Sequence, residues 1–354
     1  MFRWGIFGTG SVSAKFVAGL AAVRGAKAVM VASRSQARAQ DFANALGIER
    51  AVEGYAQAAQ AGGVDAIYIA TPPSEHAAHA LMCITAGIPV IVEKPFAANA
   101  ADARMIADAA RARGVFCMEG LWTRFMPAPQ ALHHQLADNV IGDVRMISGS
   151  FGISKVADAA DSSFDQARGG GALAQLGVYP LSLAQSLLGN SSEVHATGRI
   201  GESGVEEDVA ISLRYPAGQI ASLFCSLRSP APNDFQVMGT HGRIAFEGPI
   251  FRPYGLALQR AAPRASGGTA HGLKTRMREH GLVQRIAQIT GQSSRGGMTR
   301  IRHPYAGNGY HYQAVEAARC IGLGLAESPV MPLADSIAVI STIDMIRARL
   351  VGHA

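Results

Sequence analysis

The segment Phe2-Arg3-Trp4-Gly5-Ile6-Phe7-Gly8-Thr9-Gly10-Ser11-Val12-Ser13 decides the fold. It is a nearly unbroken apolar run, then a glycine loop, then the alanine-rich stretch Ala14–Val23. The apolar run reads as a strand covered on both faces, and the stretch after the loop as a helix. Glycine at the first two loop positions permits a tight turn and lets a pyrophosphate approach backbone N–H groups, while the helix N-terminus attracts its charge. The third position of such loops is Ser13 here, still small enough for helix and strand to pack closely. Gly8, Thr9, Gly10, Ser11 and Val12 are therefore candidate dinucleotide-binding residues.

Working outward, the same alternation repeats up to about Gly120. Apolar runs at Lys27–Ala32, Val64–Ala70, Pro89–Val92 and Val115–Met118 alternate with helical stretches at Gln36–Leu46, Glu75–Ala86 and Ala100–Ala112. Glycines just past several of these stretches (Gly25, Gly47, Gly87, Gly114) are stop signals. Strand, helix and strand joined by right-handed crossovers predict an α/β, doubly wound parallel sheet of the Rossmann type over residues 1–120, with a ligand crevice at the carboxyl ends of the strands. After Trp122 the pattern changes. Strands are expected at Asp143–Ile153, Glu193–Ile200, Asp208–Tyr215, Gln219–Leu227, Phe235–Met238 and Arg243–Phe246, several joined by tight turns. These predict a second α/β domain over residues 121–354 with an open, mainly antiparallel sheet. Helices at Ala174–Leu188, His311–Gly322 and Leu333–Arg349 are expected to cover one of its faces, leaving the other for an oligomer interface.

The end of the second strand distinguishes between dinucleotides, because an acid there would hydrogen-bond the ribose 2′-hydroxyl. The strand instead ends Ala32-Ser33-Arg34-Ser35, and Arg38 lies one helical turn beyond Arg34. Two guanidinium groups suit bidentate phosphate recognition, so NADP(H) is preferred, with NAD(H) still admitted and Ser33 beside the phosphate. Thr71-Pro72-Pro73-Ser74-Glu75-His76 falls at the exit of the strand Val64–Ala70. Thr71 and Pro72 there are cofactor candidates, and His76 either touches the nicotinamide ribose or substrate or sits in the first turn of a surface helix. Glu93-Lys94-Pro95 leaves the next strand over the same crevice.

With that third motif the chain resembles the glucose-fructose oxidoreductase, inositol dehydrogenase and MocA (Gfo/Idh/MocA) family of nicotinamide-dependent dehydrogenases. Met118-Glu119-Gly120-Leu121-Trp122-Thr123-Arg124-Phe125, Gly169-Gly170-Gly171-Ala172-Leu173, Gly177-Val178-Tyr179-Pro180, Gly307-Asn308-Gly309-Tyr310 and Glu327-Ser328-Pro329 extend the likeness, which is strongest to the dimeric dihydrodiol dehydrogenase and xylose dehydrogenase branch. The resemblance implies hydride transfer between nicotinamide and a CH–OH or C=O group of a small sugar, cyclic polyol or vicinal diol. It places the acid/base at Tyr179 with Lys94 beside it, and an adjacent ammonium would lower the phenol's pKa from about 10. It also places Glu93, Trp122 and Arg124 at the cofactor, and Trp122, Phe151 and Gln175 at the substrate. Relatives usually carry Asp where this chain has Gln175, which can hydrogen-bond a hydroxyl but cannot act as a base. Two other readings follow from the same resemblance: a cofactor-binding sensor without chemistry, and an NAD-dependent glycosidase. A homodimer through the open sheet, or a higher oligomer, is the implied assembly.

Composition bounds the remaining classes. With 354 residues, 48% hydrophobic and 16% charged, the chain is long and apolar enough for two cores and is not disordered. The formal net charge is +6, yet nine Lys and Arg against the single acid Glu279 lie between Gly255 and His303. The surplus belongs to that basic insertion near 260–300, expected to hold a helix from Leu273 to Thr290. It has no internal aromatic residue to stack on bases, so neither nucleic acid nor membrane is expected as a partner, only a small-molecule substrate. Cys83, Cys117, Cys225 and Cys320 form no CxxC pair and read as buried thiols. No His or Cys is spaced to join Glu206, Glu207 and Asp208 in a metal site, so no metal is expected. The start Met1-Phe2-Arg3 leads straight into the first strand, and no apolar run spans a bilayer; a cytoplasmic protein without a signal peptide is the expectation.

Overall fold

The computed structural model describes residues 1–158, 160–261 and 298–351. The expected basic helix Leu273–Thr290 lies outside the described residues. The first half of the chain runs β1 (Phe2–Phe7), α1 (Ser11–Leu20), β2 (Ala26–Ser33), α2 (Gln36–Leu46), β3 (Arg50–Glu53), α3 (Tyr55–Gln60), β4 (Ala66–Ile69), α4 (His76–Thr85), β5 (Val90–Glu93), α5 (Ala100–Arg113) and β6 (Cys117–Gly120). The strands form a six-stranded sheet in the order β3-β2-β1-β4-β5-β6, every pair parallel. The order reverses between β1 and β4, which opens the crevice where the glycine loop stands.

Local chemistry explains most of these elements. β4 and β5 are buried along their whole length, as strands covered by helices on both faces must be. The Ser35 hydroxyl accepts the N–H of Arg38 and caps α2, while the Asn99 amide oxygen accepts the N–H of Asp102 and caps α5. Gly47 and Gly114 end those two helices in the left-handed conformation. β3 and α3 were not expected. β3 has four partly exposed residues at a sheet edge, too short and too polar to stand out as a strand.

The second half adds α6 (Pro127–Ala137), β7 (Val144–Gly152), α7 (Val178–Leu188), β8 (Glu193–Ile200), β9 (Glu206–Arg214), β10 (Ile220–Ser226), β11 (Phe235–Gly239), β12 (Gly242–Glu247), β13 (Gly255–Arg260), β14 (Met298–Arg302), α8 (His311–Gly322) and α9 (Leu333–Val351). Its sheet has eight strands in the order β14-β13-β12-β11-β7-β10-β9-β8. All pairs are antiparallel except β7 with β10. β13 and β14 extend the sheet beyond the expected strands, and α6 forms although Pro127 and Pro129 suggest a break, because Pro127 occupies the first helical position. α7 and α9 cover one face of this sheet, as expected. α8 does not: it packs on α1 and on the turn after β6. No helix among the described residues is long and apolar enough to cross a membrane.

Candidate active site

The exits of β1, β2, β4 and β5 converge on an open cleft of about 1160 Å³. Its walls include Gly8, Thr9, Gly10, Ser11 and Val12 from the glycine loop and Ser33, Arg34 and Arg38 from the β2 exit. Thr71, Pro72 and His76 come from the β4 exit, Glu93 and Lys94 from β5, and Gln175 from the turn before α7. Gly8 has φ +99°, and a Cβ there would lie 2.7 Å from the carbonyl oxygen of Ala70, so the sharp turn requires glycine. A Cβ on Gly10 would meet nothing within 4 Å. That empty space beside the start of α1 fits a pyrophosphate on the first N–H groups of the helix. Ser13 is fully buried under the loop. β2 itself ends in Ser33 rather than an acid, and Arg34 just beyond it is 73% exposed and pairs with Glu75 at 3.6 Å. The residues present therefore fit a phosphorylated dinucleotide.

His76 opens α4 but is neither exposed nor free. It is 1% exposed, with Nδ1 2.9 Å from the carbonyl oxygen of Pro95 and Nε2 2.8 Å from that of Thr71. The two carbonyls favour the imidazolium, yet burial outweighs them and pushes the pKa down to about 4. The neutral ring then donates to one carbonyl and ties the β4 exit to the β5 exit; it stands in the first turn of a helix, as one expectation had it, but buried rather than on the surface.

At the inner end of the cleft, Lys94 and Gln175 lead on to Tyr179. Lys94 Nζ donates to the carbonyl oxygen of Gln175 at 2.9 Å and stands 5.6 Å from the centre of the Tyr179 ring. Gln175 is held in a single π-helical turn, Leu173–Gly177, that leads into α7 and Tyr179. Such turns are rare and recur at functional sites. Burial lowers the Lys94 pKa, opposed by Glu93 and Glu119. The Glu93 carboxylate accepts from the Tyr68 hydroxyl and, at 3.1 Å, from the N–H of Lys94, yet burial pushes it up to about 7. Glu119 accepts the N–H of Phe96 at 3.0 Å and is likewise pushed up to about 7 by burial.

Tyr179 differs from expectation. Its phenol is raised above 10, first by burial and then by Glu93, and the group that opposes the rise by hydrogen bonding is Trp122, whose Nε1 donates to the Tyr179 oxygen at 3.3 Å. Lys94 faces the ring rather than the hydroxyl. The phenol is therefore held protonated. Around it, Phe151 meets Tyr179 edge-on at 5.2 Å and stacks on Phe251 at 5.0 Å, while Trp122 stacks on Tyr310 at 4.7 Å under the guanidinium of Arg252. Phe251, Arg252 and Tyr68 were not singled out from sequence, and Tyr310 entered there only as part of a motif of the family likeness. Gly309 carried the one usable signal: at φ +89° its missing Cβ would press within 2.8 Å of the Trp122 ring. The open cleft reaches Lys94 and Gln175 but not Tyr179, Trp122 or Phe151, whose rings fill the space between them.

Arg124 does not face the cleft. Its guanidinium is buried against Asp335 at 2.9 Å and the carbonyl oxygen of Ser182 at 3.2 Å, joining the turn after β6 to α7 and α9. Arg124→Met is expected to lower unfolding free energy by about 3 kcal/mol, because Asp335 loses its buried partner; urea unfolding reads the change. Glu206 pairs with Arg347 and Glu207 with Arg228, and among the described residues no group of His, Cys, Asp and Glu is arranged to hold a metal. A separate hollow of about 640 Å³, lined by Ser74, Ala98, Gly169, Glu206 and Arg347, contains none of Lys94, Gln175 and Tyr179.

Comparison with known proteins agrees with the two-domain fold. Residues 2–121 match the model of an oxidoreductase family with an NAD-binding Rossmann fold, and residues 130–245 match the GFO/IDH/MocA C-terminal domain. Trans-1,2-dihydrobenzene-1,2-diol dehydrogenase of Bos taurus is 32% identical over 349 residues, covering 98% of this chain and 96% of its own. Among solved structures, KijD10, a 3-ketoreductase from Actinomadura kijaniata in complex with NADP and TDP-benzene, superposes with a TM-score of 0.80 at 24% identity over 98% of this chain and 97% of its own. Levoglucosan dehydrogenase in complex with NADH and L-sorbose superposes with a TM-score of 0.82 at 19% identity, covering 100% and 98%.

Proposed function

We infer the activity from one premise: the chain belongs to the GFO/IDH/MocA family of oxidoreductases, whose N-terminal domain is an NAD-binding Rossmann fold. We propose that it transfers a hydride between NADP(H) and a CH–OH or C=O carbon of a small sugar, cyclic polyol or vicinal diol. The observation that carries this reading is Lys94 at the inner end of a cleft that begins at the glycine loop, with its ammonium 5.6 Å from the centre of the Tyr179 ring that lies just beyond the cleft.

When bound, the nicotinamide supplies or accepts the hydride. The chain's part is to place the reacting oxygen and move its proton. In the reducing direction Tyr179 gives its proton to the developing alkoxide, with Lys94 donating a hydrogen bond to the same oxygen; oxidation reverses both roles. Trp122 Nε1, already on the Tyr179 oxygen, stabilises the phenolate left behind. Gln175 offers its side-chain amide to a neighbouring substrate hydroxyl. The relative named for a dihydrobenzenediol and the aromatic surround of Tyr179 together support a ring-shaped substrate.

Preference for the 2′-phosphate rests on Ser33, Arg34 and Arg38 standing where an acid would select NAD(H). Arg34→Ala is expected to raise the Kd of NADP(H) by about tenfold, the loss of one charge-assisted hydrogen bond discounted for exposure, and to leave that of NAD(H) within about twofold. A panel of aldoses, cyclic polyols and aromatic diols, followed by cofactor absorbance, tests the activity. Tight cofactor binding without turnover on any of them would favour a sensor instead. The same reading includes a homodimer through the uncovered face of the eight-stranded sheet, supported by exposed Met146, Ile220 and Phe224 on adjacent β7 and β10.

A further inference from the structure

One wall of the cofactor cleft comes from the far half of the chain. The segment between β7 and the π-helical turn contributes Ser162 and Arg168 to the same cleft as Arg34 and Arg38. Its course is built rather than loose. The Asp165 carboxylate accepts the N–H groups of Ala167 and Arg168 at 3.0 and 3.3 Å, and Gly170 N–H donates to the Asp165 carbonyl at 2.9 Å. Gly169, at φ +81°, lets the turn seat directly on the β4 exit, for a Cβ there would lie 2.8 Å from Cβ of Pro73. Arg34 reaches the same exit from the other half of the cleft, pairing with Glu75 two residues after Pro73. Arg168 itself has little to hold it. Its recorded ion-pair partner is Asp165 of its own turn at 4.0 Å, the outer limit of such a contact, and the side chain is 47% exposed.

We propose that Arg168 is a third arginine of the 2′-phosphate site, supplied by the segment that leads into the acid/base helix. It would close on the phosphate from the Pro73 side while Arg34 and Arg38 hold it from the β2 side. Both Arg34 and Arg168 are held only by loose, partly exposed ion pairs, with Glu75 at 3.6 Å and Asp165 at 4.0 Å, which a phosphate dianion can displace, and Arg suits this recognition through its fork of donors. The sequence hides the role because Arg168 lies well over a hundred residues from the other two. A consequence is that binding of the phosphorylated cofactor fastens the first sheet to the turn that precedes Gln175 and Tyr179.

This inference rests on the NADP(H) reading, and the test separates the two. Dissociation constants of NADPH and NADH are measured by fluorescence for the full-length wild type, Arg34→Ala, Arg168→Gln and Arg168→Lys. Arg168→Gln should weaken NADPH by about fivefold to tenfold and leave NADH within twofold, with partial recovery in Arg168→Lys. Equal weakening of both cofactors would place Arg168 on the pyrophosphate and overturn the proposal, as would no change in either. If the wild type shows no preference for NADPH, the cofactor reading fails as well. If Arg34→Ala loses the preference and Arg168→Gln keeps it, only the role of Arg168 is lost. The NADH constant reports in each variant that the fold and the rest of the cleft are intact.

Discussion

Tyr179→Phe is expected to lower turnover by about 10²–10⁴-fold, the range that general acid–base catalysis supplies, while the Kd of the cofactor stays within about twofold. The substitution removes one oxygen and keeps the ring that packs against Phe151, so the aromatic surround survives. What it removes is the proposed proton carrier. Burial and Glu93 hold this phenol protonated at neutral pH, so the wild type should reduce carbonyls readily and oxidise alcohols faster as pH rises. That rise with pH should vanish in Tyr179→Phe. Single-turnover measurements in both directions decide the matter, and unchanged turnover at full cofactor occupancy would reject Tyr179 as the acid.

Lys94→Met comes second, with an expected loss of about 10²–10³-fold in kcat/KM. Met keeps the unbranched stem, so the buried volume changes little, but it donates no hydrogen bond to the reacting oxygen and leaves the Gln175 carbonyl without the donor it has at 2.9 Å. Part of the loss should therefore appear as a higher KM, since Gln175 is no longer tied to the β5 exit. Lys94→Arg should recover little, because the planar fork is bulkier than the buried ammonium that donates to the Gln175 carbonyl. Circular dichroism and the NADPH dissociation constant show whether the variant is folded. A kcat/KM within threefold of the wild type would remove Lys94 from the chemistry.

These residues were open to reading from sequence in different degrees. The glycine loop, the Arg34–Arg38 pair and Glu93-Lys94 lie at strand exits that local pattern places within a residue or two, and the structure brings them to one cleft. Tyr179 was reached by resemblance rather than periodicity, since a tyrosine in a buried helix has no local mark of function. The contacts that shape its environment are all distant in sequence. Trp122 meets Tyr310 across nearly two hundred residues, and Arg124 meets Asp335 across 211. Arg124 illustrates the cost of position-by-position comparison: its place in a motif suggested a cofactor contact, and its burial against Asp335 makes it a brace instead. β3 failed for the opposite reason, being an edge strand whose four residues are too exposed to carry an apolar signature.

The packing of α8 on α1 bears on the order in which the molecule is assembled. Gly19 of α1 lacks a Cβ where Asn308 Oδ1 would stand 2.8 Å away, and Asn308 Nδ2 donates to the Lys15 carbonyl at 2.7 Å. At the opposite edge of the first sheet, the N–H of Cys117 is met by the carbonyl of Ala326 at 3.0 Å. A nascent chain that has just left the ribosome as far as β6 thus holds every strand of its nucleotide-binding sheet but has neither the cover of α1 nor the partner of β6. Those arrive some two hundred residues later, during which the apolar flank of α1 must wait in water or be shielded by a chaperone. The half of the protein that is synthesised first is, in this topology, the half that is finished last.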